Sequence, residues 1–289
     1  MTASTLESVP NRDEVVALIR TALYEDLRYG PDITTAATVS AEAMVEASMV
    51  SRQPGTVAGL DVGLLVLDEV IGAGNYQVTE RVADGAAVSP GDTVLTLSAP
   101  TRGLLTAERT MLNLVCHLSG IATATAAWVA EVAGTGARIR DSRKTLPGLR
   151  ALQKYAVRVG GGVNHRMGLG DAALIKDNHV VAAGSVVAAL RAVRELAPDI
   201  ACEVEVDSLD QLDAVLGEGV ELVLLDNFPL WATQAAVQRR NDRSPRTELE
   251  SSGGLTLEVA ADYARTGVDY LSVGALTHSV RVLDLGLDM

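Results

Sequence analysis

The apolar positions of this chain change rhythm partway along, and the change separates two regions. Behind Asn11, a residue suited to capping, Val15, Leu18, Ile19 and Leu23 keep helical spacing and predict a helix that ends before Gly30-Pro31. Within residues 78–97, Asp84-Gly85 and Pro90-Gly91-Asp92 predict tight turns between strands. Residues 104–132 form a long, mostly apolar stretch of helical pattern. Beyond it, short apolar runs at 137–140, 173–176, 202–206, 222–225, 248–251 and 270–273 recur, and helical segments at 185–196, 209–216, 230–239 and 255–266 separate the later ones. Strands apolar on both faces and joined by helices imply a parallel sheet with helical crossovers. About six such units, without a glycine-rich first turn, favour an α/β fold built as an incomplete (β/α) barrel over an open sheet.

Charge adds a second pattern. The 289 residues carry a net charge of −13, yet all three lysines, Lys144, Lys154 and Lys176, fall within residues 138–176. That window holds nine basic residues against Asp141 and Asp171, a net of +7. Like charges crowded together repel unless a ligand or counter-charges offset them, so the window suggests a pocket for a small polyanion. The acidic remainder argues against nucleic acid as a partner. The N-terminal residues show no basic-then-apolar signal pattern, and no apolar run was expected to cross a bilayer, so a cytoplasmic location is the expectation. Cys116 and Cys202 lie in apolar segments without metal-ligand spacing and are expected to be buried free thiols.

The polar residues gather at the carboxyl ends of the expected strands, where parallel barrels place their active sites. Ser142, Arg143 and Lys144 follow the first strand, Lys176 closes the second, Glu205 ends the third and Asp226 the fourth. Lys176 at the end of a buried strand suits either an anion clamp or a Schiff-base nucleophile; Lys154, in mid-helix beside Tyr155, is expected to be a solvated or secondary residue. His165 and Arg166 follow Gly160-Gly161-Gly162, a run that should not be helical and that favours anion recognition. Glu205 and Asp226 could hold a divalent cation such as Mg²⁺, bind sugar hydroxyls, or stabilise a developing positive charge. Ser252-Gly253-Gly254, opening a helix near Leu255, and Val273-Gly274-Ala275 after the last strand suggest a phosphate cradle. His117 and His278 are read as structural. The 78–97 stretch resembles the hairpins of biotinyl-type domains but contains no lysine to carry a prosthetic group.

Four blocks in the basic window resemble the signature of the quinolinate phosphoribosyltransferase family: Ser142-Arg143-Lys144-Thr145-Leu146-Pro147-Gly148-Leu149-Arg150, Lys154-Tyr155-Ala156, Gly160-Gly161-Gly162-Val163-Asn164-His165-Arg166 and Leu174-Ile175-Lys176-Asp177-Asn178-His179. Glu203-Val204-Glu205-Val206, Leu225-Asp226-Asn227, Glu250-Ser251-Ser252-Gly253-Gly254 and Ser272-Val273-Gly274-Ala275-Leu276-Thr277-His278 extend it. The resemblance implies an N-terminal α/β sandwich domain, 1–115, with the tail 276–289 packed on it, and an incomplete barrel, 116–275. It implies transfer of a phosphoribosyl group from phosphoribosyl pyrophosphate to quinolinate with release of pyrophosphate and CO₂, giving nicotinate mononucleotide for NAD synthesis, with Mg²⁺ required. It also implies a homodimer or an assembly of dimers in which Arg109 enters the neighbouring site. On that reading Arg143, His165, Arg166, Lys176 and the incoming Arg109 meet the quinolinate carboxylates, and Lys144 lies nearer the pyrophosphate. Glu205 and Asp226 serve the ribose hydroxyls and Mg²⁺, while Ser252, Gly253, Gly254, Gly274 and Ala275 hold the 5′-phosphate.

Three other readings stand beside it. One is a barrel aldolase that forms an imine through Lys176 on a phosphosugar; the second is a related phosphoribosyltransferase with a different pyridine substrate. The third is a small-anion sensor without catalysis, disfavoured by the carboxylates at the strand ends.

Overall fold

A computed structural model describes residues 10–289. The chain divides into two compact units. One comprises the chain up to Ala126 together with Thr145–Gly161 and Thr277–Met289, and the other comprises Ala127–Lys144 and Gly162–Leu276.

The first unit contains α1 (Arg12–Leu27), α2 (Ile33–Thr38), β1 (Met44–Ser51), β2 (Gly55–Thr56), α3 (Leu60–Ile71), β3 (Gln77–Arg81), β4 (Ala87–Val88), β5 (Thr93–Pro100) and most of α4 (Thr101–Glu131). Asn11 caps α1 as expected, its side chain accepting from the Asp13 N–H at 3.0 Å, and Val15, Ile19 and Leu23 form the buried stripe. An antiparallel sheet runs in the order β12-β1-β5-β3, its last strand β12 (Leu285–Asp288) coming from the C-terminal tail. The Asp84-Gly85 turn does more than join strands: the Asp84 carboxylate accepts from the N–H groups of Gly59 (2.6 Å) and Leu60 (3.3 Å) and so caps α3. By length and composition α4 could cross a bilayer, contrary to the expectation that no segment would. It is instead a core helix, with Leu104, Met111, Leu118 and Ile121 fully buried.

The first boundary differs from the expected division at 115, whereas the tail from Thr277 belongs to the first unit, within a residue of the expected division at 275. No loop interrupts α4 near 115, and α5 (Arg150–Val159), though it lies between two barrel strands in sequence, packs within the first unit. There Gln153 donates to His117 Nε2 (2.8 Å) and to the Thr277 carbonyl (3.0 Å), and the Tyr155 hydroxyl donates to Asp84 Oδ2 (2.7 Å). Residues 152–157 of α5 are all buried. That is why Lys154, expected to be a solvated or secondary residue, has no exposed surface.

The second unit is a parallel six-stranded sheet with helical crossovers. Its strands are β6 (Arg138–Arg140), β7 (Ala173–Ile175), β8 (Cys202–Val206), β9 (Leu222–Asp226), β10 (Glu248–Ser252) and β11 (Tyr270–Ser272). They lie in the order β6-β11-β10-β9-β8-β7. Chain neighbours are sheet neighbours except at the break between β6 and β7, which is the topology of an incomplete barrel. Its helices are α6 (Asp177–Ala183), α7 (Val186–Leu196), α8 (Leu209–Gly217), α9 (Leu230–Arg243) and α10 (Leu257–Arg265), and the short α11 (Ala275–His278) begins in it and ends in the first unit. Ser185 and Ser208 cap α7 and α8 through their side chains, which fixes where each helix begins.

Candidate active site

Side chains alternate along a strand, so residues two apart share a face. At or just past the carboxyl ends of the six barrel strands stand Ser142, Lys176, Glu205, Asp226, Ser252 and Gly274, and all six line one cavity of about 520 Å³. One step deeper on the same faces, Leu174, Leu224, Glu250 and Ser272 line it as well, while Arg140 and Glu203 hold the equivalent positions on β6 and β8. None of the deeper positions is given a role of its own by the sequence, although counting back two from each mouth residue finds them. The barrel strands are apolar outward, through Ile139, Ile175, Val204, Val223, Leu249 and Leu271, whereas the inward face carries charge.

Arg143, Lys144, His165 and Arg166 complete the basic side of the cavity. The Nε atoms of Arg143 and Arg166 are buried without a hydrogen-bond partner among the described residues. Arg166 is held in place by its Nη1, which donates to the Ala172 carbonyl at 2.8 Å. Burial and the neighbouring Arg143 charge lower its pKa. Two adjacent guanidinium groups with buried, acceptor-less N–H groups are costly until anionic oxygens meet them, and carboxylates match their planar geometry. Lys176 stands at the N-cap of α6, about half exposed, with its Nζ 2.6 Å from Glu205 Oε2. A lysine ion-paired at a wet strand end is an anchor for anions rather than the desolvated amine of a Schiff-base enzyme.

His165, expected to meet the quinolinate carboxylates, lines the cavity with both ring nitrogens facing protein groups. Its Nδ1 accepts from the Arg166 N–H at 2.7 Å, so the ring proton sits on Nε2, which stands 2.6 Å from Glu203 Oε2. The segment is fastened by Asp141, wholly buried, which accepts from the His165 N–H (2.8 Å) and from Asn164 Nδ2 (2.5 Å). The glycine run ends α5 and lets the chain turn back, with Gly161 at φ +89°, so that Val163 bridges to Arg140 alongside the barrel.

Beneath the cavity Glu203 and Glu250 are both buried, each with one carboxylate oxygen lacking a hydrogen-bond partner among the described residues. Arg140 donates to Glu250 Oε2 at 2.7 Å and stacks on the Tyr270 ring, 4.7 Å from its centroid. Burial works against the Arg140 charge, but Glu250 and Glu203 outweigh it and raise its pKa. Burial also raises Glu203. Burial, then the Glu203 charge, push Glu250 from its ordinary value near 4.5 up to about 7, against the pull of Arg140. A carboxyl whose pKa is higher in the folded than in the unfolded chain binds its proton more tightly when folded. Its contribution to stability is therefore full below about pH 4.5 and is lost as pH rises through about 7. Glu250→Gln, measured by urea unfolding between pH 4.5 and 8, is expected to lose less stability than the wild type as pH rises; equal slopes would contradict the assignment.

On the acidic side, Glu205 and Asp226 line the cavity from neighbouring strands. They are hard oxygen donors, each with one oxygen already engaged: Glu205 Oε2 by Lys176, and Asp226 Oδ2 by Asn227 Nδ2 at 2.9 Å. Two such carboxylates fit Mg²⁺, which keeps most of its coordination for water and substrate oxygens. Beside Asp226, at the end of the adjacent strand β10, Ser252, Gly253 and Gly254 line the cavity, the two glycines at φ +95° and +61°. The helix after this loop begins at Leu257 rather than near Leu255, so the loop is a freestanding turn and not the first turn of a helix.

Three expected substrate residues lie outside the cavity lining. Arg109 is exposed on α4 in the first unit, and Ala275 is exposed at the start of α11. Val273 is buried and its N–H donates to the Arg140 carbonyl at 2.9 Å, so it supports Gly274 and has no donor left for a phosphate. Cys116 and Cys202 are free thiols, only partly buried, with burial raising the pKa of each.

Comparison with known proteins agrees with this geometry. The chain matches the model of the quinolinate phosphoribosyl transferase N-terminal domain over residues 32–119 and that of the C-terminal domain over residues 121–288. It is 72% identical over 271 residues to a nicotinate-nucleotide pyrophosphorylase [carboxylating] of Mycobacterium leprae, covering 94% of this chain and 95% of that protein. A probable nicotinate-nucleotide pyrophosphorylase [carboxylating] of Bacillus subtilis is 38% identical over 96% of this chain and 94% of its own length. The solved structure of the nicotinate-nucleotide pyrophosphorylase from Francisella tularensis superposes with a TM-score of 0.91 at 36% identity, covering 99% of each chain. With both domain models matched in order along nearly the whole sequence, the chain belongs to the quinolinate phosphoribosyl transferase family.

Proposed function

We propose that this protein transfers the phosphoribosyl group of phosphoribosyl pyrophosphate to the ring nitrogen of quinolinate, with loss of CO₂, to give nicotinate mononucleotide and pyrophosphate for NAD biosynthesis. The observation that carries the reading is the pair of buried, acceptor-less guanidinium Nε atoms of Arg143 and Arg166 opposite Glu205 and Asp226 in one cavity. Adjacent carboxylates on a flat ring fit the guanidinium side, and a ribose flanked by phosphates fits the other.

Arg143, Arg166 and Lys176 hold the two carboxylates and thereby aim the ring nitrogen at the ribose. His165 fixes the backbone of Arg166 and presents a ring edge rather than a charge. Ser252, Gly253, Gly254 and Gly274 seat the 5′-phosphate, and Lys144, exposed at the mouth, meets the pyrophosphate. Glu205 and Asp226 face the ribose hydroxyls and would also hold Mg²⁺, which when bound neutralises charge on the pyrophosphate. As the bond from the ribose C1 to pyrophosphate breaks, C1 acquires oxocarbenium character, and the pyridine nitrogen attacks it. The carboxylates of Glu205 and Asp226 stabilise that positive charge, and fixed positions supply much of the remaining acceleration. The alkylated nitrogen is cationic, so the electron pair left at the adjacent carbon when CO₂ departs is stabilised without any imine to Lys176, and a proton then takes that place.

Arg109, exposed on α4, is assigned to the site of a second copy in a homodimer. We place the enzyme in the cytoplasm, in keeping with its free thiols. The test is quinolinate labelled in the carboxylate next to the nitrogen. Release of that label as CO₂, dependent on phosphoribosyl pyrophosphate and Mg²⁺ and absent with a monocarboxylate pyridine, is expected. Trapping of a keto-substrate on Lys176 by borohydride would instead favour the aldolase reading.

A further inference from the structure

Among the described residues Asn227 is the one non-glycine residue in the left-handed region, at φ +54°. It directly follows Asp226 at the end of β9 and lines the cavity. Glycine adopts that backbone conformation at least as easily, so turning the chain does not by itself call for asparagine. The side chain has its own contacts. Its Nδ2 donates to Asp226 Oδ2 at 2.9 Å, an orientation fixed by chemistry because an ionised carboxylate only accepts. Its Oδ1 is turned to the loop after the adjacent strand so closely that a Cβ placed on Gly253 would lie 2.2 Å from it. The backbone joins the same two elements, with the Asn227 N–H donating to the Ser252 carbonyl at 2.9 Å. One residue therefore touches both the carboxylate assigned to the ribose and the loop assigned to the 5′-phosphate.

We propose that Asn227 is a positioning residue that couples the Asp226 carboxylate to the Ser252–Gly254 loop, so that a phosphate seated on the loop sets the carboxylate for the ribose of the same ligand. The proposal rests on the roles given above to Asp226 and to the loop. A sugar phosphate engages both elements at once, and a pyridine dicarboxylate engages neither. Gly253 belongs to the same device. Its φ of +95° strains any side chain, and a methyl group there would push Asn227 aside.

The test uses Asn227→Gly, which keeps the backbone conformation and removes the amide, and Asn227→Asp, which keeps the shape but exchanges the donor for a second carboxylate. Binding of ribose 5-phosphate and of quinolinate is measured by calorimetry without metal, alongside KM for phosphoribosyl pyrophosphate and kcat. Asn227→Gly is expected to weaken ribose 5-phosphate about tenfold, the effect of losing a hydrogen bond to a charged group. The same variant should raise KM for phosphoribosyl pyrophosphate and leave quinolinate affinity within about twofold. Asn227→Asp is expected to weaken ribose 5-phosphate further, because like charges then meet at the ribose. In the Asn227→Gly background, Asp226→Asn should cost ribose 5-phosphate less than it does in the wild type, the mark of coupling. Full additivity, or equal losses for quinolinate and ribose 5-phosphate, would overturn the proposal. If wild-type protein binds no ribose 5-phosphate at all, the assignment of the loop and Asp226 falls instead, and the proposal with it.

Discussion

Arg166→Ala is expected to weaken quinolinate binding by about 30-fold or more, corresponding to at least ~2 kcal/mol, because it leaves a buried substrate carboxylate without its guanidinium. The size follows from the environment. Arg166 is held by the Ala172 carbonyl and stands close to Arg143, with its Nε buried. Solvent cannot readily replace it. Affinity for phosphoribosyl pyrophosphate should change far less, since that ligand is assigned to the opposite side of the cavity. Titration calorimetry with each substrate separately makes the comparison, and an unaltered quinolinate affinity would remove Arg166 from the site.

Asp226→Ala is expected to show the complementary pattern. Turnover should fall at least about 100-fold, the scale found when a group aimed at developing charge is removed. The Mg²⁺ concentration needed for half-maximal rate should rise, while quinolinate affinity stays within about twofold. Steady-state rates across a Mg²⁺ titration, with quinolinate binding measured in parallel, separate this outcome from simple unfolding. A normal Mg²⁺ response would contradict the role given to Asp226.

Much of the fold was legible because strand and helix periodicities differ and because parallel-barrel strands must bury their outer faces. The runs at 173–176, 202–206 and 222–225 lie within a residue of the observed strands for that reason. The domain division was less legible. Nothing local in residues 145–161 says that α5 packs with Asp84 and His117 in the first unit, and Lys154 looks like an ordinary surface lysine until its neighbours are known. In the site, the cations at the mouth announced themselves by type and clustering. For His165 the residue type left the protonated nitrogen open, and only the hydrogen bond from Arg166 N–H to Nδ1 shows where its proton lies. Glu250 and Asn227 stayed hidden for opposite reasons. Glu250 reads as part of the alternating pattern of β10, and Asn227 matters through a backbone angle and a contact with Gly253 that no spacing rule expresses.

The central claim is that cations far apart in sequence meet at one barrel mouth and there hold a doubly carboxylated ring. A crystal structure with quinolinate bound tests it most directly. The expected result places the two carboxylates against Arg143, Arg166 and Lys176, with the ring nitrogen facing Glu205 and Asp226. Quinolinate bound outside this cavity, or seated within it with its carboxylates away from Arg143 and Arg166, would contradict the claim.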